Sequence, residues 1–259
     1  MTKSIISAVI FLLLFVTSCT EKKQTQETAT ITISGQVTDF DGNPIDSCEV
    51  DLMHRDFSVV DTVLTDKTGH YTLTGVEKGQ YMALAALRMK DYVYSNAVPE
   101  EDMRLEFWAW NVIADKDLTI NPRYHRLELY GFQVFKVMGG PPYLWAYVRP
   151  MSLGKDLSYG KDIYLDKQKA EKISDINVLP EDIDFKIYAG DEPLTIHSVQ
   201  SVEEYCGDDS KPMRGFFLQF DRPEEFSGNY CIFRIEATHK LFGGEKGESV
   251  YFYEIKDYK

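Results

Sequence analysis

From residue 30 onward the chain is a series of short runs in which apolar and polar residues alternate, each closed by a turn signal. In ITISGQV, Ile31, Ile33, Gly35 and Val37 fall on one face of an extended strand. DFDGNP follows, with Asp and Gly to bend the chain and Pro44 to end the turn. CEVDLMH places Cys48, Val50 and Leu52 together on one face. SVVDTVLTD reads as another strand, and KTGHYTLTGV and KGQYMALAAL are each entered by a glycine. Nothing between residues 31 and 87 repeats at a helical period, so the pattern predicts antiparallel strands at short, regular spacing, the signature of a β-sandwich.

LEFWAWNVI is apolar on both faces. The alternation puts Leu105, Phe107 and Ala109 on one side and Trp108, Trp110 and Val112 on the other, so this strand should be covered on both sides. A domain boundary is expected near Asn121–Pro122. Beyond it, RLELYGFQVFKVMGG and YLWAYVRP are β by composition. The polar span from Gly154 to Ile183 should hold a short helix or ordered loop around Lys167–Ile173. Strand signals resume in IDFKIYAG, IHSVQSVEEY, GFFLQFD, YCIFRIEAT and SVYFYEI. In YCIFRIEAT, Cys231, Phe233, Ile235 and Ala237 should face inward, with Arg234 and Glu236 outward.

The fold class expected is therefore all-β, with two β-sandwich domains over residues 30–121 and 122–259. About 230 residues are enough for two such domains, and a 44% hydrophobic, 13% aromatic composition is enough for their cores. A formal net charge of −13 argues against nucleic acid as a partner and against a polybasic membrane patch.

The N-terminus has its own pattern. One lysine precedes an apolar run, Ile5 to Val16, too short to span a bilayer and of the right length for a signal-peptide core. The run ends in VTSC, which resembles the lipobox of bacterial lipoproteins. That resemblance implies a signal peptide over residues 1–18, cleavage after Ser18, and lipidation of Cys19. Residues 19–29 then form a flexible tether without a large apolar side chain. Thr20, in place of an acidic residue, points to the outer membrane, where several acyl chains give stable anchoring.

The run GQVTDFDGNPIDSCEVDL, with DTVLTDKTGHYTLTGVEKGQYMALAA after it, resembles the carboxypeptidase regulatory-like domain, a prealbumin-like β-sandwich. Gly35, Val37, Asp39, Gly42, Pro44, Val50, Thr65, Asp66, Gly69, Tyr71, Leu73, Gly79 and Tyr81 fall where that family's pattern wants them. Cys48 stands where the family usually has alanine, which implies a buried thiol. The module is a structural accessory wherever it occurs, so the resemblance implies a fold and no activity. It also precedes the plug of TonB-dependent outer-membrane receptors, whose barrel this chain is too short to form. GNYCIFRIEATHKLFGGEKGESVYFYEI resembles the last two strands of a bacterial Ig-like domain.

The chain offers several candidate sites. His125 and Glu128 form a His-x-x-Glu, and His239 lies at a spacing that a zinc carboxypeptidase would suit. Residues three apart on a strand point to opposite faces, and no alternating strand–helix pattern is present, so no metal is expected there. Asp39 and Asp41 have oxygen donors for calcium, but they are also what a hairpin turn demands. There is no Gly-x-Ser-x-Gly, and Cys48 and Cys231 lie on inward faces. A Cys206–Cys231 disulfide is open to an oxidising envelope. Trp108, Trp110, Tyr143, Trp145 and Tyr147 gather near the domain junction, either as a ligand platform or as interface and core. Trp108 and Trp110 are expected to be structural, covered by the strand of Tyr143, Trp145 and Tyr147.

The expectation is a non-enzymatic, lipid-anchored module of the cell envelope that binds or assembles, needs no cofactor, and has the membrane and an envelope protein or glycan as partners. A glycan-capture accessory beside an outer-membrane receptor is the alternative, and a hydrolase using the second domain is the rival from another class.

Overall fold

The computed structural model describes residues 29–208, 211–226 and 228–255. The signal peptide expected over 1–18, the lipidation site Cys19 and the tether up to residue 28 lie outside the described residues. The first half runs through β1 (Thr30–Gln36), β2 (Glu49–Met53), β3 (Val59–Leu64), β4 (His70–Glu77), β5 (Gly79–Leu87), β6 (Phe107–Ala114) and β7 (Leu118–Thr119). β8 (Leu127–Phe135) and β9 (Leu144–Ser152) come next, then three short helices, α1 (Leu153–Leu157), α2 (Lys161–Tyr164) and α3 (Lys167–Ile173). β10 (Ile183–Ala189), β11 (Glu192–Leu194), β12 (Ile196–Glu204), β13 (Met213–Phe220), β14 (Tyr230–His239) and β15 (Glu245–Glu254) close the chain. The fold is all-β as expected, and α3 lies in the polar span read as helix or ordered loop. Asp166 caps α3 by accepting the Lys169 N–H at 3.2 Å, as its residue type favours.

The strands form three layers. The middle layer is one eight-stranded sheet in the order β11-β10-β14-β15-β6-β5-β2-β3. One face carries the three-stranded sheet β4-β1-β7 and the other the four-stranded sheet β12-β13-β9-β8. The join is β15, which pairs in parallel with β6 through Ser249, Val250 and Tyr251. As a result the core of the first half includes Val250 and Phe252 from the last strand. The Ser249 hydroxyl donates to the Trp108 carbonyl at 2.8 Å and fastens the same seam.

β6 is buried on both faces as its pattern demands. Phe107 and Ala109 enter the first core and Trp108 and Trp110 the second. Val112, expected beside the tryptophans, instead faces the first core. The reason is Asn111, which has a left-handed backbone (φ 55°) and so shifts the alternation between Trp110 and Val112. Its side chain donates to the Phe252 carbonyl at 2.7 Å and accepts from Gln80 at 2.7 Å. Leu105, expected to share a face with Phe107, packs in a third, smaller cluster with Leu153, Leu157 and Tyr164 of the helices. On β14, Phe233, Ile235 and Ala237 face the second core with Cys231 packed against it, as the alternation predicts.

β15 and β8 cross at very close range at Gly247. An added Cβ there would lie 2.2 Å from the Leu127 carbonyl oxygen, a backbone atom with no room to yield. Gly247→Ala should therefore destabilise by roughly 1–3 kcal/mol, read as a drop in thermal midpoint. An unchanged midpoint would show that the two layers can separate freely.

Candidate functional site

A cleft of about 490 Å³ opens where the β5–β6 connection, β8, β9 and the helices meet. Glu106, immediately before β6, Glu128 of β8 and Asp156 of α1 all line it. Tyr92 and Tyr94 stand on one side, their rings edge to face at 5.5 Å. Tyr130 stands on the other and meets the edges of two tryptophan rings, Trp108 at 5.5 Å and Trp110 at 5.1 Å. Trp108 and Trp110 stack on each other at 4.8 Å and 14°. The Trp108 indole N–H donates to Glu128 Oε1 at 2.8 Å. Gly131, with φ 66°, sits at a bulge in β8. Before it Leu127 and Leu129 feed the core; after it Phe132 and Val134 do, so the bulge shifts the alternation just past Tyr130.

The carboxyls of the cleft are unusual. Burial pushes Glu106 up to about 7, against the opposing pull of a hydrogen bond with Tyr92. Glu128 is held well above the usual carboxylate range by burial and then by the charge of Glu106, despite the Trp108 hydrogen bond and the nearby Arg149. Burial also raises Asp156, with Ser174 opposing. Glu106 Oε2 and Asp156 Oδ1 are buried without a hydrogen-bond partner. Arg149 enters from β9, where its guanidinium lies 5.1 Å over the Tyr130 ring and bonds Glu204 at 3.0 Å. A second cavity of about 310 Å³ continues past Asp156 and Glu171 toward Cys206 and Lys211.

The five aromatics expected to cluster are split by the fold. Trp108 and Trp110 are 9% and 7% exposed and belong to the second core. Tyr143, just before β9, and Trp145 and Tyr147 on it are half-buried and alternate with Leu144, Ala146 and Val148, which are the residues facing that core. Tyr143 packs instead on His197 at 4.8 Å, and Tyr147 on Phe217 at 5.5 Å. The expected cover for the tryptophans is thus corrected: Tyr130 provides it, because β9 turns its small and aliphatic side chains, not its rings, to the core.

The other candidates have separate employment. His125 precedes β8 instead of lying on it, so the strand argument against its pairing with Glu128 does not apply. Glu128 serves Trp108, while His239 bonds Glu245 at 3.0 Å. Asp39 accepts the N–H groups of Asp41 and Asn43, both at 2.9 Å, and Gly42 turns the chain at φ 85°, which is the turn expected there. Cys206 and Cys231 are both unbridged, one exposed and the other half-buried against the second core. The Cys48 thiol is pushed up to about 12 by burial and receives the Tyr124 hydroxyl at 3.6 Å.

Two features escape a sequence reading. Glu106 and Asp156 carry no local spacing that singles them out. The second feature is a buried node in which Glu245 accepts from Ser152 at 2.5 Å and from the Gly154 N–H at 2.6 Å, and bonds His239. Here the carboxylate stands between serine and histidine, and all three are at most 1% exposed. A nucleophile needs its base directly beside it and a path for substrate, so this node ties β9 and α1 to the β14–β15 turn and has no nucleophile geometry.

Among solved structures, the major pilin subunit BcpA of Bacillus cereus aligns over 86% of this chain and 69% of its own, at 12% identity and a TM-score of 0.28. The Corynebacterium diphtheriae major pilin SpaA aligns over 80% and 62%, at 10% identity and a TM-score of 0.24. TM-scores this low carry no argument about function. No curated protein matches the sequence. Residues 32–102 match the family model of the carboxypeptidase regulatory-like domain, so this stretch of the chain is similar to that module.

Proposed function

We propose that the protein is a non-enzymatic module of the cell envelope, tethered through acyl chains on Cys19, that captures a ligand in the cleft of Glu106, Glu128 and Asp156. The observation that carries this reading is the pair of buried, unpartnered carboxyl oxygens on Glu106 and Asp156 in a cleft of about 490 Å³. A buried polar atom left without a partner costs about 1–3 kcal/mol, and folds keep such atoms mainly where something else completes them. The volume suits a small ligand. The regulatory-like sandwich supports a scaffold role, since that module is an accessory by resemblance.

Trp108 and Trp110 adjoin the cleft through Tyr130 and make their fluorescence a reporter of binding. A screen of sugars, amines and short peptides should find a class that changes this emission without being turned over. Glu106→Gln or Asp156→Asn should weaken the response. A ligand whose binding ignores both substitutions would move the site elsewhere. Hydrolysis lost with Glu106→Gln would replace the binding reading with the hydrolase one.

Anchoring is tested separately. The run Ile5–Val16 followed by VTSC motivates it. Cys19→Ser should leave an unprocessed precursor that takes up no labelled fatty acid and is absent from outer-membrane fractions. Equal incorporation in the variant would remove the anchor and, with it, the proposed location.

A further inference from the structure

We propose that the cleft takes a small organic ammonium ion, its charge met by the carboxyls of Glu106, Glu128 and Asp156 and its aliphatic body by the apolar wall. The inference rests on the reading of this cleft as a ligand site and names the class of ligand.

Charge balance is the first argument. Three carboxyls from three different elements line the interior, and Glu171 of α3 stands at its edge. The cations that face them are Arg149 of β9 and Lys167 of α3. Arg149 is already engaged by Glu204 and by the Tyr130 ring. Lys167 is largely exposed and pairs with Glu171 at 4.0 Å. The interior is therefore rich in acceptors and short of positive charge.

The unpartnered atoms are the second. Asp156 is 7% exposed, and its Oδ1, like Glu106 Oε2, finds no donor. An ammonium group has three donors and no acceptor, so it supplies the kind of partner that an unpartnered carboxyl oxygen lacks. The donors left open around the cleft are the buried Arg149 Nε, the Ser174 hydroxyl and whatever proton the carboxyls hold, and an ammonium replaces that last donor with a permanent positive charge.

The walls are the third. Tyr92 and Tyr94 line the cleft with aromatic rings, whose quadrupole attracts a cation, while the Tyr130 ring already carries Arg149. Leu105, Leu153 and Ile176 offer aliphatic surface for the rest of the ligand. Among the described residues no three His, Cys, Asp or Glu side chains gather closely enough to hold a metal ion. The acceptors are spread along a cleft, as an organic cation with hydrogen-bonding reach requires.

Proton linkage follows. Burial raises the Glu106 carboxyl to about 7 and holds Glu128 well above the usual carboxylate range. An arriving ammonium takes over the role of the resting proton, so binding releases protons and tightens as pH rises toward 7. The titratable and charged groups that bear on this come from every side: Tyr92 and Tyr94 of the β5–β6 connection, Tyr130 of β8 and Arg149 of β9. From the helices they are Asp156 on α1 and Lys167 and Glu171 on α3.

Isothermal titration of the purified protein tests this, with hexylamine against hexan-1-ol and methyl glucoside, at pH 6 and pH 8 and in two buffers of different ionisation enthalpy. Hexylammonium should bind, release protons at pH 6, and bind about tenfold tighter at pH 8, the gain of one proton's linkage over one pH unit. In Glu106→Gln, whose thermal melt confirms folding, affinity should fall about tenfold or more and most of the pH dependence should vanish. Asp156→Asn should weaken binding without removing the pH dependence. Hexanol binding as tightly as hexylamine, or hexylamine binding with no proton release, overturns the assignment. If methyl glucoside binds where the amine does not, the cleft remains a ligand site and only the ligand class is wrong. If none of the three probes binds, the ammonium class is wrong, and the wider fluorescence screen decides whether the cleft takes another ligand.

Discussion

Truncating Trp108 to alanine should lower stability by about 3–5 kcal/mol, the usual range for a buried tryptophan. That is a large share of a typical domain's total. Three losses combine at this position. The 4.8 Å stack with Trp110 disappears, as does the edge contact with Tyr130. The indole donor to Glu128 is lost too, leaving a buried carboxyl without its hydrogen bond. Trp108→Phe separates the terms, because it keeps most of the packing and removes only the donor. It should fall between wild type and Trp108→Ala. Trp110→Ala should also destabilise strongly, although its indole N–H has no partner to lose. The measurement is a thermal or denaturant melt. If both alanine variants melt like wild type, the tryptophans are not core, and a stacking platform for a ligand replaces the structural role.

The second expected result concerns pH. Glu106→Gln should raise stability at pH 8 and leave it nearly unchanged at pH 4. In the unfolded chain this carboxyl ionises near its ordinary value of 4.5, whereas in the folded protein it holds its proton up to about 7. Between those values the folded state binds more protons than the unfolded one, so stability falls as pH rises through the window. Below 4.5 both states are protonated and the cost is absent; above 7 both are ionised and the cost has reached its full value. A separation of this size corresponds to about 3 kcal/mol. Glutamine mimics the protonated acid at every pH and should remove this term. Melts of the two proteins from pH 4 to 8 should therefore diverge steadily up to pH 7 and then run parallel. A constant difference across the range would mean that Glu106 is not held protonated by its surroundings. A carboxyl that weakens the fold at neutral pH fits a role in binding better than one in stability.

Most of the strand content is legible in the sequence. Side chains on a strand alternate with period two, a local property, so Ile31, Ile33 and Val37, or Phe233, Ile235 and Ala237, declare a buried face directly. The double apolar face of β6 is legible for the same reason, as is the Asp39 turn. The pattern of the carboxypeptidase regulatory-like sandwich is readable as well, since its turn glycines and inward positions keep fixed spacing.

What alternation cannot reveal is where it breaks and what lies opposite. Asn111 and Gly131 each adopt a left-handed backbone and shift the count of the strand that follows, and Asn111 thereby sends Val112 to the opposite core from the one expected. The seam between β6 and β15 joins residues some 140 positions apart, such as Trp108 and Ser249, and a parallel pairing of that range has no local signal. The aromatic run of β9 looks like cover for the tryptophans because composition marks a ring as buried without saying against what. The cleft is the extreme case. Glu106, Glu128 and Asp156 stand at 22 and 28 residues from one another, on three elements, with spacing that fits no motif. Each alone is an ordinary acidic residue. The middle sheet and the short helices bring them together out of water, and the loss of hydration there raises their affinity for protons and leaves Glu106 and Asp156 each with an oxygen that has no donor.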